Sequence, residues 1–433
     1  MNYTNKTTSS ISDLKPKSSD ILEQSANTTA YSILPIVFNY GLIICVLEAL
    51  RFLLPLSQLQ STGEATAGGL LYGTSFLPAA IFAIWLGRVN DSKNGNMLLF
   101  IYLTIIAIMA IVLGTLLSIE SEYKVLVFVS FVIFGAGYGH SNLCFVLSKK
   151  HLPAEALNLV NARFGTASNL ASLIIPMLLG FLLYWVSSRT LIWLTIPFAF
   201  AAIIFARLMV IQQSFKQINT EKAKSNRKVS LSLRDSFSFI ISDKWMLSTT
   251  IIMSLLNAAD ALFYTGILYS SDIANSNAGW KVGLAFSLGG IGALFASLIA
   301  PAYRKKFSPK VSLLIPIVAV GIIYTSSTFF PNLKLLVLIA LLQGFVTMLY
   351  IHCIWTIRHE RAPKAGIGSV VGITGFVYKI LIPIMAPLGG FLFDLGSSAA
   401  PFILAVILTL VAIIILYMVK INTPPTTIVS TQQ

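Results

Sequence analysis

Four ionisable side chains lie where ionisable groups are rarely tolerated. Glu48, Arg51, Asp260 and Lys379 each fall inside an apolar run long enough to cross a bilayer, and Arg163 lies near the end of another. A charge inside a bilayer is costly, so each is a functional candidate by default. Glu48 and Arg51 are three positions apart, share a helix face and can pair; a structural ion pair is the plainer reading of the two. Asp260 has no base in its own run. It is free to pair with Lys379 or to bind and release a proton, a role that buried carboxylates fill in many functional sites. Asp260 is the first candidate for proton coupling and Glu48 the second. Arg51 and Lys379 are the candidates for holding an anionic group of a solute.

Other side chains offer weaker chemistry. His140 and His352 fall at similar depths in two further runs. Histidine titrates near neutral pH, so a proton role is open to both, beside the plainer one of a hydrogen-bonded lining residue. Trp355 and Tyr378, like Tyr138, Tyr264 and Tyr324, are aromatics able to line a cavity, although packing is their commoner use. The four histidines are too scattered for a metal cluster, and no cofactor is expected. Cys45, Cys144 and Cys353 all lie in apolar runs without a C-x-x-C and read as small hydrophobes. The phosphate-binding Gly-x-x-x-x-Gly-Lys-Ser/Thr loop is missing, which excludes hydrolysis-driven pumping within this chain. No nucleophile and base stand out in the polar loops, so the chain does not read as an enzyme.

The elements that must position these groups follow from composition. The chain of 433 residues is 56% hydrophobic and 11% charged, against about 25% charged for a soluble chain. Twelve apolar runs recur between about residues 31 and 420, each able to span a core about 30 Å thick. They show no alternation of the kind that a barrel needs. The fold class is therefore an all-α membrane protein. The basic residues mark its orientation. Arg88, Lys149, Lys150, Arg304, Lys305, Lys306, Arg358 and Arg361 fall in loops on one side, as do the bases between 212 and 244. Lys124, Arg189, Lys281 and Lys334 fall on the other. The positive-inside rule then places both termini in the cytoplasm of a multi-pass protein of the cell membrane. The net charge of +14 reads as loops facing anionic lipid rather than nucleic acid. The expected organisation is a disordered cytoplasmic tail over 1–29, a six-helix bundle over 30–211 and a cytoplasmic linker over 212–244. A second six-helix bundle over 245–420 and a short tail over 421–433 complete it.

The stretch from Pro153 to Leu182 is written twice. At an offset of about 210 positions, Pro153 meets Pro363, Gly165 meets Gly375, and Gly180-Phe181-Leu182 meets Gly390-Phe391-Leu392. Two parallel six-helix halves with a long basic middle loop resemble the major facilitator superfamily. Two motifs add to the resemblance. Gly87 and Asp91 match the family's loop signature between spans two and three, although Ser92 replaces a base and Gly95 comes one place late. Ala162, Ala171, Pro176 and Gly180 are similar to a span-five motif linked to antiport, with Ile175 and Leu179 standing where glycines are usual. Span eleven carries Ala386-Pro387-Leu388-Gly389-Gly390.

The resemblance implies a substrate site near the midplane between the halves. It makes Gly87, Asp91, Gly95, Pro176 and Pro387 candidates for gating. It also implies a monomeric secondary transporter working by alternating access, whose partners are a small solute, a proton and the bilayer. A proton-coupled permease for an organic acid, amino acid or carboxylate siderophore is the favoured reading. A proton-antiport drug or metabolite exporter is the alternative.

Overall fold

The computed structural model describes residues 18–90, 94–119, 122–152, 154–217, 233–269, 279–330, 332–363 and 367–419. Those residues are helical almost throughout, with no strand among them. The helices of the first half are α1 (Ser18–Thr62), α2 (Ala65–Thr74), α3 (Leu77–Asn90), α4 (Gly95–Ser118), α5 (Tyr123–His151), α6 (Ala154–Leu182), α7 (Ser188–Ile192) and α8 (Thr195–Gln217). Those of the second are α9 (Leu233–Ser242), α10 (Lys244–Leu268), α11 (Gly279–Lys306), α12 (Pro309–Phe329), α13 (Leu333–Arg361), α14 (Ile367–Lys379), α15 (Ile382–Asp394) and α16 (Ala400–Met418). Together they form 12 stretches long and apolar enough to cross a membrane. Twelve crossings return the chain to the side on which it began, here called the proximal end.

Two departures from the sequence reading concern the ends of the halves. Helix α1 begins at Ser18, so part of the expected tail over 1–29 is helical, continuous with the first span. The linker over 212–244 also contains a helix, α9. Its Phe239 and Ile240 pack with Met246, Ala362, Val370 and Ile373 at the proximal end of the second half. Asp243 then starts α10, accepting from the backbone N–H groups of Trp245 and Met246 at 2.9 and 3.1 Å. Its other oxygen accepts from Arg361 Nε at 2.8 Å. A carboxylate is favoured at a helix N-terminus, and the arginine ties that start to the end of α13.

Two spans are broken at mid-length by prolines. Span two stops at Thr74 and resumes at Leu77-Pro78; span eleven stops at Lys379 and resumes at Ile382-Pro383. A proline has no N–H to give to the carbonyl four residues earlier, so Thr74 and Lys379 each lose a helical donor. Pro387, the proline singled out in span eleven, lies within α15 instead. The neighbouring carbonyl of Tyr378 accepts from Asn257 Nδ2 of α10 at 2.8 Å, a side-chain repair that membrane helices require.

Small residues set the closest helix approach inside the second half. A Cβ on Gly344 of α13 would overlap the carbonyl of Gly289 on α11, with the carbonyl carbon only 2.6 Å away. Such neighbours are backbone and cannot step aside. Gly344→Leu should therefore destabilise the protein by about 3 kcal/mol or more. The melting midpoint in detergent would fall clearly, and an unchanged midpoint would contradict this packing.

Candidate functional site

The acid of the seventh span is held wholly by neutral groups. Asp260 Oδ1 accepts from the Tyr324 hydroxyl, from Gln343 Nε2 at 2.6 Å and from Thr347 Oγ1 at 3.3 Å. Oδ2 accepts from the Tyr350 hydroxyl at 2.6 Å. These donors come from α12 and α13, so the second half alone builds the cage around the α10 carboxylate. Tyr324, Tyr350 and Gln343 are fully buried, and Gln343 is oriented by the Tyr264 hydroxyl, which donates to its Oε1 at 3.2 Å. Asp260 itself is half-buried. No Lys or Arg forms an ion pair with it among the described residues. The expected alternative of a pair with Lys379 is not the arrangement present.

The first-span acid is compensated instead. Arg51 Nη1 meets Glu48 Oε1 at 2.5 Å, and Arg51 Nε donates to Ser75 Oγ at 3.3 Å. The guanidinium also stands over Phe76, 4.7 Å from the ring centroid. Ser75 and Phe76 are the two residues of the break in span two, so Arg51 is packed onto that break. Lys379, the last residue before the break in span eleven, lies close enough for Arg51 and Glu48 to act on it electrostatically. It is half-buried and forms no ion pair among the described residues. The break in span two therefore holds the Arg51–Glu48 pair of α1, and the break in span eleven sets Lys379 within its electrostatic reach. Glu48 and Arg51 keep 18% and 23% side-chain exposure. Tyr72 of α2 is buried where Arg51, Glu48 and Asp260 all act on it, which links the two polar centres.

The halves meet through small residues toward the distal end. A Cβ on Gly69 of α2 would lie 2.5 Å from the Ala386 carbonyl oxygen of α15, and one on Gly283 of α11 would lie 2.5 Å from the Pro176 carbonyl oxygen of α6. Beyond them, Asp394 at the end of α15 sits on the N-terminus of α2. Its two oxygens accept from the backbone N–H groups of Ala65 and Thr66, each at 2.8 Å, and from Thr66 Oγ1 at 2.5 Å. A carboxylate from one half therefore satisfies orphan donors of a helix in the other.

A half-and-half helical bundle with broken helices at its interface calls for comparison with known membrane proteins. The model of the Major Facilitator Superfamily matches residues 36–384. The chain belongs to the major facilitator superfamily. Solved structures agree on the fold. A bacterial homolog to the human lysosomal transporter Spinster, in an inward-facing and unoccupied conformation, superposes with a TM-score of 0.68 at 10% identity, covering 90% of this chain and 96% of that one. The nucleoside transporter NupG superposes with 0.68 at 12% identity, covering 89% and 97%. A mutant of NupG gives 0.69 at 15%, covering 90% and 100%. Comparison with curated protein sequences finds no match. This superfamily member is a transporter rather than an enzyme.

Among the residues singled out in the sequence, the structure pairs Glu48 with Arg51, with Lys379 within their electrostatic reach, and gives Asp260 a separate cage of neutral donors. Tyr378 is buried, its ring centroid 5.7 Å from the Arg358 guanidinium. His140 is placed elsewhere. It is fully buried in the first half, its Nε2 2.7 Å from Asn39 Oδ1, while Asn39 Nδ2 donates to the Ala202 carbonyl at 2.6 Å. The Asn39 oxygen must then accept, which sets the His140 proton on Nε2; the chain α5–α1–α8 is a structural tie. His352 meets Ser297 Oγ of α11 at 3.2 Å and Trp355 at 6.1 Å, and Trp355 is 39% exposed. Pro176 and Pro387 lie at contacts between the halves, and Gly95 is buried against Leu147 at the start of α4. Gly87 lies in α3; Asp91 is outside the described residues. Sequence reasoning missed Gln343, Thr347 and Tyr350, which are ordinary residues of an apolar span until the fold aims them at Asp260.

Proposed function

We propose that this chain moves a small anionic or zwitterionic organic solute, such as an organic acid, amino acid or carboxylate siderophore, across the cytoplasmic membrane by proton-coupled alternating access. The observation that carries the solute reading is the excess of positive charge between the halves. Arg51 is balanced by Glu48, whereas Lys379 has no ion-paired acid among the described residues, and it ends a helix on the opposite half. A carboxylate or phosphate group bridging Arg51 and Lys379 would make charge-assisted bonds to both halves at once. That is what a solute needs in order to draw two halves together.

Asp260 is the proton site in this reading. Its charge is met by neutral donors alone, and a tyrosine hydroxyl can turn from donor to acceptor when the carboxyl carries a proton. The cage therefore serves both protonation states without moving a helix. The distal contacts between the halves are those of a transporter closed on that side. With the basic loops at the proximal end, the positive-inside rule makes the proximal side cytoplasmic.

The uncompensated carboxylate also supports a second reading, an exporter of lipophilic cations working by proton antiport. A ligand screen by thermal shift on detergent-purified protein separates the two, since a ligand of the folded state raises apparent stability. Small carboxylates and amino acids are expected to raise the melting midpoint, with the rise lost in Lys379→Ala. Stabilisation by lipophilic cations alone would overturn the anion reading and favour the exporter.

A further inference from the structure

Away from the site between the halves, the proximal end of the second half holds a cavity of about 200 Å³ among α10, α11, α12 and α13, with charged and apolar lining residues. Three cations line it, Arg304, Lys310 and Arg361, with one carboxylate, Glu360. We propose that this cavity binds a phosphate group, held by Arg304, Lys310 and the N-terminus of α12.

The charges in the cavity are unequally used. Arg361 is satisfied by Asp243, at 2.8 Å. Arg304 Nη2 reaches Glu360 at 3.3 Å, but that glutamate is 59% exposed, and the buried Nε of Arg304 has no hydrogen-bond partner among the described residues. Lys310 Nζ donates to two uncharged groups, the carbonyls of Tyr417 and Val419 at 3.1 and 3.2 Å. An ammonium has three protons, so one remains, and no carboxylate pairs with it among the described residues.

The helix start adds donors. Ser308 precedes α12 without capping it, and the first helical bond runs from Ser312 N–H to the Ser308 carbonyl at 2.8 Å. The N–H groups of Lys310 and Val311 come before that bond and have no helical acceptor. Aligned N–H groups, a lysine and a guanidinium edge together suit a tetrahedral oxyanion. Trp245 and Ile357 complete the lining and would suit the glycerol end of a phospholipid. The shared chemistry is a phosphate, either the headgroup of an anionic lipid or free phosphate from solution.

The test is the melting midpoint of the full-length protein in neutral detergent. The probes are dioctanoyl phosphatidylglycerol, dioctanoyl phosphatidylcholine, inorganic phosphate, and sodium chloride at matched ionic strength. A phosphate probe is expected to raise the midpoint by roughly 2–4 °C over sodium chloride, and Arg304→Gln with Lys310→Gln should remove the rise. A rise with phosphatidylglycerol alone identifies a lipid headgroup; an equal rise with inorganic phosphate identifies the soluble ion. Lys310→Gln alone, which leaves the Arg304–Glu360 pair in place, should lose most of the rise and serves if the double variant fails to fold. The proposal is overturned if none of the three phosphate-bearing probes exceeds sodium chloride, or if Lys310→Gln responds as the wild type does.

Discussion

Asp260→Asn should abolish accumulation of the solute against its gradient while leaving solute exchange intact. One pH unit is worth about 1.36 kcal/mol per proton, so a transporter moving one proton per cycle sustains a solute ratio of roughly ten per pH unit. The amide cannot take up or release a proton in this range, and the expected ratio in the variant is about one. Asparagine keeps the size of aspartate and one acceptor oxygen, so Tyr324, Gln343, Thr347 and Tyr350 still close around it. Binding and rocking need no proton step in that case. Proteoliposomes measure both quantities, accumulation under an imposed pH gradient and exchange with solute on both sides. Loss of both together would mean that Asp260 supports the fold and does not couple.

Gly69→Leu should hold the halves apart at the distal end. A side chain at this position points at the backbone of Ala386 and Pro387, and backbone cannot repack. Closure of that end would then cost about 3 kcal/mol more, a shift in population of over 100-fold. Asp394→Ala should act in the same direction and more weakly, by about 1 kcal/mol, since it removes a partly exposed cap. The distance between spin labels at Glu122 and Phe330, one on each half, gives the readout in a background without native cysteines. Wild type should populate a short distance, Gly69→Leu a long one and Asp394→Ala a mixture. An unchanged short distance in Gly69→Leu would show that α2 and α15 do not form the seal.

Much of the architecture was legible because bilayer crossing writes itself in composition: apolar length gave the spans, and the repeated Pro and Gly positions gave the two halves. The small residues of spans five and eleven were visible, and the fold puts them where the halves touch. The breaks were harder to see. Pro78 and Pro383 interrupt their helices, while Pro176 and Pro387 lie inside theirs, and sequence alone does not separate the two outcomes. The charges were visible one by one but not in their pairings. Lys379 lies within electrostatic reach of Arg51 and Glu48, because span eleven packs on span two. Glu48 and Asp260 fall in spans one and seven at the same separation in sequence as His140 and His352. Their environments differ because Arg51 has no basic counterpart one helical turn after Asp260, where Phe263 stands.

The most direct test of coupled transport uses proteoliposomes with a pH-sensitive dye inside, given the ligand that best stabilises the purified protein. In wild type, an inward solute gradient should drive a change in internal pH that stops when the solute equilibrates. Asp260→Asn should show solute entry without that change. Solute entry in wild type with no movement of protons would contradict the account.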